Sequence, residues 1–183
     1  MATGGWGVEF LRGMRVDSTF EAFVEASSTA LLRTAFLLTG DRQHAEDLLQ
    51  TALLRAARRW SRARDAPYAY VRQVLINLSR DRIRTLLRRP REAKLPPVEA
   101  LGAATPHDAV VERWAVASAL AQLPVRQRQV VVLRYFEDLT VEQTAAVLGC
   151  STGTVKSYSH RALHRLRELL TETHITEVPH VRG

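Results

Sequence analysis

The chain has 183 residues and a mass of 20.6 kDa, room for one medium domain or two small ones and too little for a large multidomain enzyme. Its 46% hydrophobic and 25% charged residues exclude wholesale disorder, and its longest apolar runs, such as Val130 to Leu133, fall far below the ~20 residues of a membrane span. The 26 basic against 19 acidic side chains, net +7 with a pI near 10.4, point to a polyanionic partner, nucleic acid ahead of an acidic protein.

Arg supplies 24 of the 26 cations, which suits phosphate forks and base edges, although a GC-rich genome enriches Arg as well. With one cysteine, Cys150, neither an internal disulfide nor a Cys-based zinc site is expected, and Cys150 reads as a small buried hydrophobe. Nothing near the N-terminus resembles a signal peptide, so the expectation is a soluble cytoplasmic protein without a membrane partner.

Residues 1–16 carry no periodic pattern and read as a flexible tail, in which Met14 is a second candidate start. From Phe20 the spacing turns helical through Phe23, Val24, Leu31, Ala35 and Leu38, and Thr39-Gly40-Asp41 supplies a stop and the next cap. The second helix carries one apolar stripe, Ala45, Leu48, Leu49, Ala52, Leu53, Ala56 and Trp60, with Glu46, Asp47, Gln50 and Arg58 opposite. A polar connection, Ser61 to Pro67, leads to a third helix with Val71, Val74, Leu75 and Leu78 inside. On its other side Gln73, Asn77, Arg80, Arg84 and Arg88 form a long basic face around one amide.

Four prolines, Pro90, Pro96, Pro97 and Pro106, then interrupt any helical period. This linker would span roughly 23 Å if flexible and about 56 Å if drawn straight, so two domains able to separate are expected. Val110, Val111, Trp114, Leu120 and Leu123 begin the second half, followed after Pro124 by a helix over Val125 to Phe136 with Val and Leu inside and Arg outside. No strand pattern competes, and the expected fold is all-α.

Thr140 to Arg161 matches a helix-turn-helix position by position. Thr140 and Gln143 make a capping box, Ala145 is small where two helices cross, and Gly149 stands where the turn requires positive φ. Ser151 caps the second helix, and Val155, Tyr158, Ala162, Leu166 and Leu169 are its buried stripe. Thr154, Lys156, Ser157, His160 and Arg161 are left as candidates for phosphates and base edges of a major groove.

The string LPVRQRQVVVLRYFEDLTVEQTAAVLGCSTGTVKSYSHRALHRLRELL resembles the C-terminal promoter-recognition domain of bacterial sigma factors of the extracytoplasmic-function group. LLTGDRQHAEDLLQTALLRAARRW and YAYVRQVLINLSRDRIR resemble the N-terminal core of the same group, in its SigE-like actinobacterial branch. The resemblance implies two small helical domains joined by a Pro-rich linker: a tail to residue 16, a region-2-like domain over 17–89, a linker over 90–107, a region-4-like domain over 108–171 and a tail over 172–183.

It further implies a partner, core RNA polymerase, whose clamp helices would meet Asp47 and Gln50; from spacing alone these are ordinary solvated residues. Thr51 stands where relatives commonly carry Glu. The third helix would capture unpaired bases of the minus-10 element with Asn77 on a base edge, Arg80 and Arg84 along the backbone, and Tyr68 beside a loop pocket with Arg62, Arg64 and Asp65. Tyr70, where many relatives carry Trp, reads as core. The helix bearing Thr154, Lys156, Ser157, His160 and Arg161 would read the minus-35 duplex. Promoter DNA is thus the second partner and an anti-sigma factor a third candidate, with no cofactor, metal or active site in the chain. An autonomous helix-turn-helix repressor or activator explains the second half and the charge, but not the AEDLLQ helix or the face around Asn77. No phosphate-cradling Gly loop or GxSxG elbow supports an enzyme, and His160 and His164, four apart, lack the Glu of a metalloprotease motif.

Overall fold

The structure, a computed structural model, describes residues 17–88 and 108–176, and the side chains of 17–81 and 115–171. Every regular element among them is helical: α1 Ser18–Thr39, α2 Arg42–Ala57, α3 Trp60–Ala63, α4 Pro67–Arg88, α5 Asp108–Gln122, α6 Val125–Val131, α7 Val141–Leu148 and α8 Thr152–Thr176. The expected tail over 1–16 and the expected linker over 90–107 lie outside the described residues, and the tail expected over 172–183 begins later than that, because α8 runs on to Thr176.

Sequence punctuation accounts for most boundaries. Asp17 accepts from the Thr19 amide and Asp41 from that of His44, at 2.9 and 2.8 Å, capping α1 and α2. Gly40 ends α1 with a φ of 74°, its amide donating to Phe36 O at 2.8 Å. α2 stops at Ala57, short of Trp60, which the stripe had placed on the same helix. Trp60 instead opens the short α3, inside the stretch expected to be a polar connection, and stacks edge-on to Phe20 with centroids 4.9 Å apart. Its indole N–H donates to the Thr19 hydroxyl at 2.8 Å, which fixes the corner between α1 and α3.

The second half turns on the capping box of α7: the Gln143 amide donates to Thr140 Oγ1 at 3.2 Å, and the Thr140 amide to Gln143 Oε1 at 2.8 Å. Thr140→Ala removes one half of that box, and urea unfolding is expected to show a loss of about 1 kcal/mol. Gly149 supplies the tight turn with a φ of 63°. The helix begun at Val125 widens at Val132–Phe136 into a π turn that ends on Glu137.

The two halves, expected to be able to separate, are in contact in this structure. Phe20, Leu31, Leu49, Leu53 and Leu75 of the first half and Leu120, Val130, Leu133, Val155 and Ala162 of the second belong to one continuous buried core. Polar side chains also cross the seam between them. Arg128, expected outside α6, is only 7% exposed, and Gln129 is fully buried. Arg128 donates to Leu38 O of α1 at 2.8 Å and to Ala121 O and Leu123 O at 2.6 and 3.2 Å. Gln129 donates to Ile76 O and Ser79 Oγ of α4 at 2.8 and 3.0 Å.

Candidate functional site

Three surfaces carry the candidate residues. On α8, Lys156, His160 and Arg161 are exposed, with Thr154 and Ser157 half-buried beside them. At 3.6 residues per turn these five fall within roughly 160° of the helix circumference, opposite the buried Val155, Ala162 and Leu169. Helical periodicity thus sorts the core from the candidate groove-reading face. The Arg161 guanidinium donates to Ser157 Oγ at 2.6 Å and lies over the Tyr158 ring, 5.6 Å from its centroid. These two contacts hold the guanidinium along the surface of α8. Thr154 is partly engaged elsewhere: its amide donates to Ser151 Oγ at 3.1 Å and the two hydroxyls share a hydrogen bond.

The α7–α8 unit is braced from behind by Arg126, which donates to Leu148 O at 3.2 Å, a contact absent from the sequence reading. Cys150 is half-buried at the turn rather than fully buried. His164 Nδ1 lies 3.3 Å from the Glu168 carboxylate, and among the described residues no group of three or more His, Cys, Asp or Glu is placed to hold a metal ion.

On α2, Asp47 and Gln50 are exposed while Leu48 and Leu49 are buried, so the acid and amide stand one turn apart on the open side of the helix. On α4, Asn77 and Arg80 are partly exposed; the Arg84 side chain lies outside the described residues. At its N-terminal end α4 meets the second half of the chain. Gln73 donates to Val147 O of α7 at 3.0 Å, and the Tyr68 hydroxyl donates to Glu137 at 3.2 Å. Both side chains are half-buried against the second half of the chain. Burial first, and the Glu137 carboxylate second, hold the Tyr68 phenol above its ordinary pKa, so it is a hydrogen-bond donor at neutral pH. Tyr70 packs against the core, as its placement in the sequence implied. Arg62, Arg64 and Asp65 are exposed around α3 and the turn after it.

Sigma-70 region 2 matches residues 23–89 and sigma-70 region 4 matches residues 119–168. The RNA polymerase sigma-E factor of Streptomyces coelicolor is 44% identical over 156 residues, covering 82% of this chain and 85% of that protein. The chain belongs to the sigma-70 family of RNA polymerase sigma factors, in its extracytoplasmic-function group. The sigma factor SigL of Mycobacterium tuberculosis, of the same group, is 32% identical over 168 residues, covering 85% of this chain and 90% of that one. Among solved structures, the sigma factor RpoE of Bartonella quintana, in complex with the anti-sigma factor NepR, superposes with a TM-score of 0.63 at 27% identity, covering 82% of this sigma factor and 98% of that chain. Region 4 of the sigma factor therefore contains α7 and most of α8 with its exposed cations Lys156 and Arg161, and region 2 contains α2 and all of α4.

Proposed function

We propose that this sigma factor binds core RNA polymerase through the Asp47–Gln50 edge of α2, reads the minus-35 duplex with Lys156, Ser157, His160 and Arg161 of α8, and captures the opened minus-10 strand with Asn77, Arg80, Arg84 and Tyr68 of α4. The observation that carries the reading is the coincidence of two family blocks, in the family's order, with exposed side chains of the required chemistry on α2 and α8. Thr154 stands at the mouth of α8, its hydroxyl shared with Ser151, and takes the phosphate beside the first base pair read. The chain supplies recognition and strand capture; synthesis of RNA belongs to the polymerase. Nothing among the described helices is long and apolar enough to cross a membrane. The likeness to a relative solved with an anti-sigma factor makes a protein inhibitor of that kind a candidate partner here.

Transcription from a promoter library by sigma-free core polymerase tests the reading. Addition of the protein is expected to give transcripts sharing two upstream elements, and Asp47→Arg to weaken polymerase binding about tenfold or more, since charge reversal at a docking edge replaces attraction by repulsion. Duplex binding without polymerase, and no dependence of transcription on the protein, would instead identify an autonomous regulator.

A further inference from the structure

Glu137 sits at the end of the π turn with its side chain 5% exposed, and three donors from the other half of the chain converge on it. The Tyr68 hydroxyl donates to Oε1 at 3.2 Å, Arg72 Nη1 to Oε2 at 3.3 Å, and the Thr34 hydroxyl also donates to Oε1. All three donors belong to region 2, on α1 and α4, and the acceptor belongs to region 4. Arg72 itself is 14% exposed, its guanidinium lies 6.0 Å from the Tyr68 ring centroid, and its buried Nε has no hydrogen-bond partner. Two hydroxyls and a guanidinium around one anionic group are the donor set proteins use for nucleic-acid phosphates.

We propose that Thr34, Tyr68 and Arg72 form an anion pocket for a backbone phosphate of the opened promoter strand, and that Glu137 fills it as an internal stand-in while the two domains are closed. A buried ion pair gains little over a well-packed apolar contact, so Glu137 holds the pocket without a large net gain. A phosphodiester carries the same single negative charge and can take its place when region 4 moves away. Tyr68 is one of the residues assigned above to the minus-10 strand, and the inference rests on that sigma-factor reading. It adds Thr34 and Arg72 to the strand-binding surface, and makes closure and strand capture mutually exclusive.

The test compares wild type, Glu137→Gln, Arg72→Ala and the double variant in binding fluorescein-labelled oligo(dT), by anisotropy across a salt series, with circular dichroism to verify folding. Glu137→Gln keeps the shape and removes the competing charge, so the free protein is expected to bind single-stranded DNA about tenfold more tightly, as one charge-assisted contact supplies. Arg72→Ala also breaks the clasp but lacks the phosphate ligand, so it and the double variant are expected to show no gain. The salt slope of Glu137→Gln should exceed that of the double variant by about 0.7, one phosphate on a single strand. Glu137→Ala serves as the second opening variant should the amide fold poorly. An equal gain in Arg72→Ala, or a gain that survives in the double variant, would show that region 4 merely covers the surface; no gain in either Glu137 variant would also overturn the proposal. Promoter-dependent transcription by the wild-type protein with core polymerase is scored separately, so failure of the sigma-factor reading is distinguishable from failure of the pocket.

Discussion

Arg128→Met is expected to lower the free energy of unfolding by about 3 kcal/mol, the largest effect of any single polar side chain in the second half. Its guanidinium serves Leu38 O, Ala121 O and Leu123 O at once, and among the described residues no carboxylate pairs with it. Burial lowers its pKa to about 10, so it remains charged at neutral pH and the carbonyl dipoles stand in for a counter-ion. Each carbonyl left buried without a donor costs about 1–3 kcal/mol, partly offset by the apolar packing of Met. Urea unfolding at neutral pH measures the loss. Arg128→Lys should recover only part of it, because a single ammonium does not reproduce a planar fork reaching three oxygens. A loss within about 0.5 kcal/mol of zero would mean that water or a shifted backbone serves these carbonyls instead.

Arg128 also marks where sequence reasoning fails. On an amphipathic helix an Arg reads outward, as Arg126 and Arg134 in part do, and no local signal separates Arg128 from them. Its burial is decided by carbonyls elsewhere, one of them ninety residues away in the chain. Gln129 and Glu137 are alike in this: each is a polar residue in a helical stretch or turn, hydrogen-bonded to groups of α1 or α4 that only the tertiary arrangement delivers.

Local chemistry, by contrast, was legible. Asp17 apart, the caps at Asp41 and Thr140 and the left-handed glycines at Gly40 and Gly149 follow from residue type and spacing. The exposed face of α8 proposed for recognition was readable for the same reason, since one period of 3.6 separates Lys156, His160 and Arg161 from Val155 and Ala162. The face of α4 proposed for strand capture was readable only as a helix surface. That Tyr68 and Gln73 lie beneath region 4 depends on two domains meeting across a Pro-rich segment, and periodicity within either domain is silent on that.

Gly40 offers a direct probe of that meeting, and Gly40→Ala is expected to force the domains apart. Two separate penalties act. The φ of 74° strains any L side chain by about 1–2 kcal/mol, felt by region 2 whether or not region 4 is docked. A Cβ at position 40 would also stand 2.6 Å from the Cβ of Ala121, on α5 of the second half. Neither atom is the end of a flexible chain, so contact is relieved only by moving a helix. Small-angle scattering is expected to report a larger radius of gyration for Gly40→Ala than for wild type. Ala121→Gly on the same background removes the opposing methyl and should restore the compact form, while the backbone strain and about 1 kcal/mol for a helical glycine remain as lost stability. Closure restored without stability restored is the signature of a steric contact between domains. An unchanged radius in Gly40→Ala would show that α5 gives way locally and that the fit of Gly40 against Ala121 does not hold the two halves together.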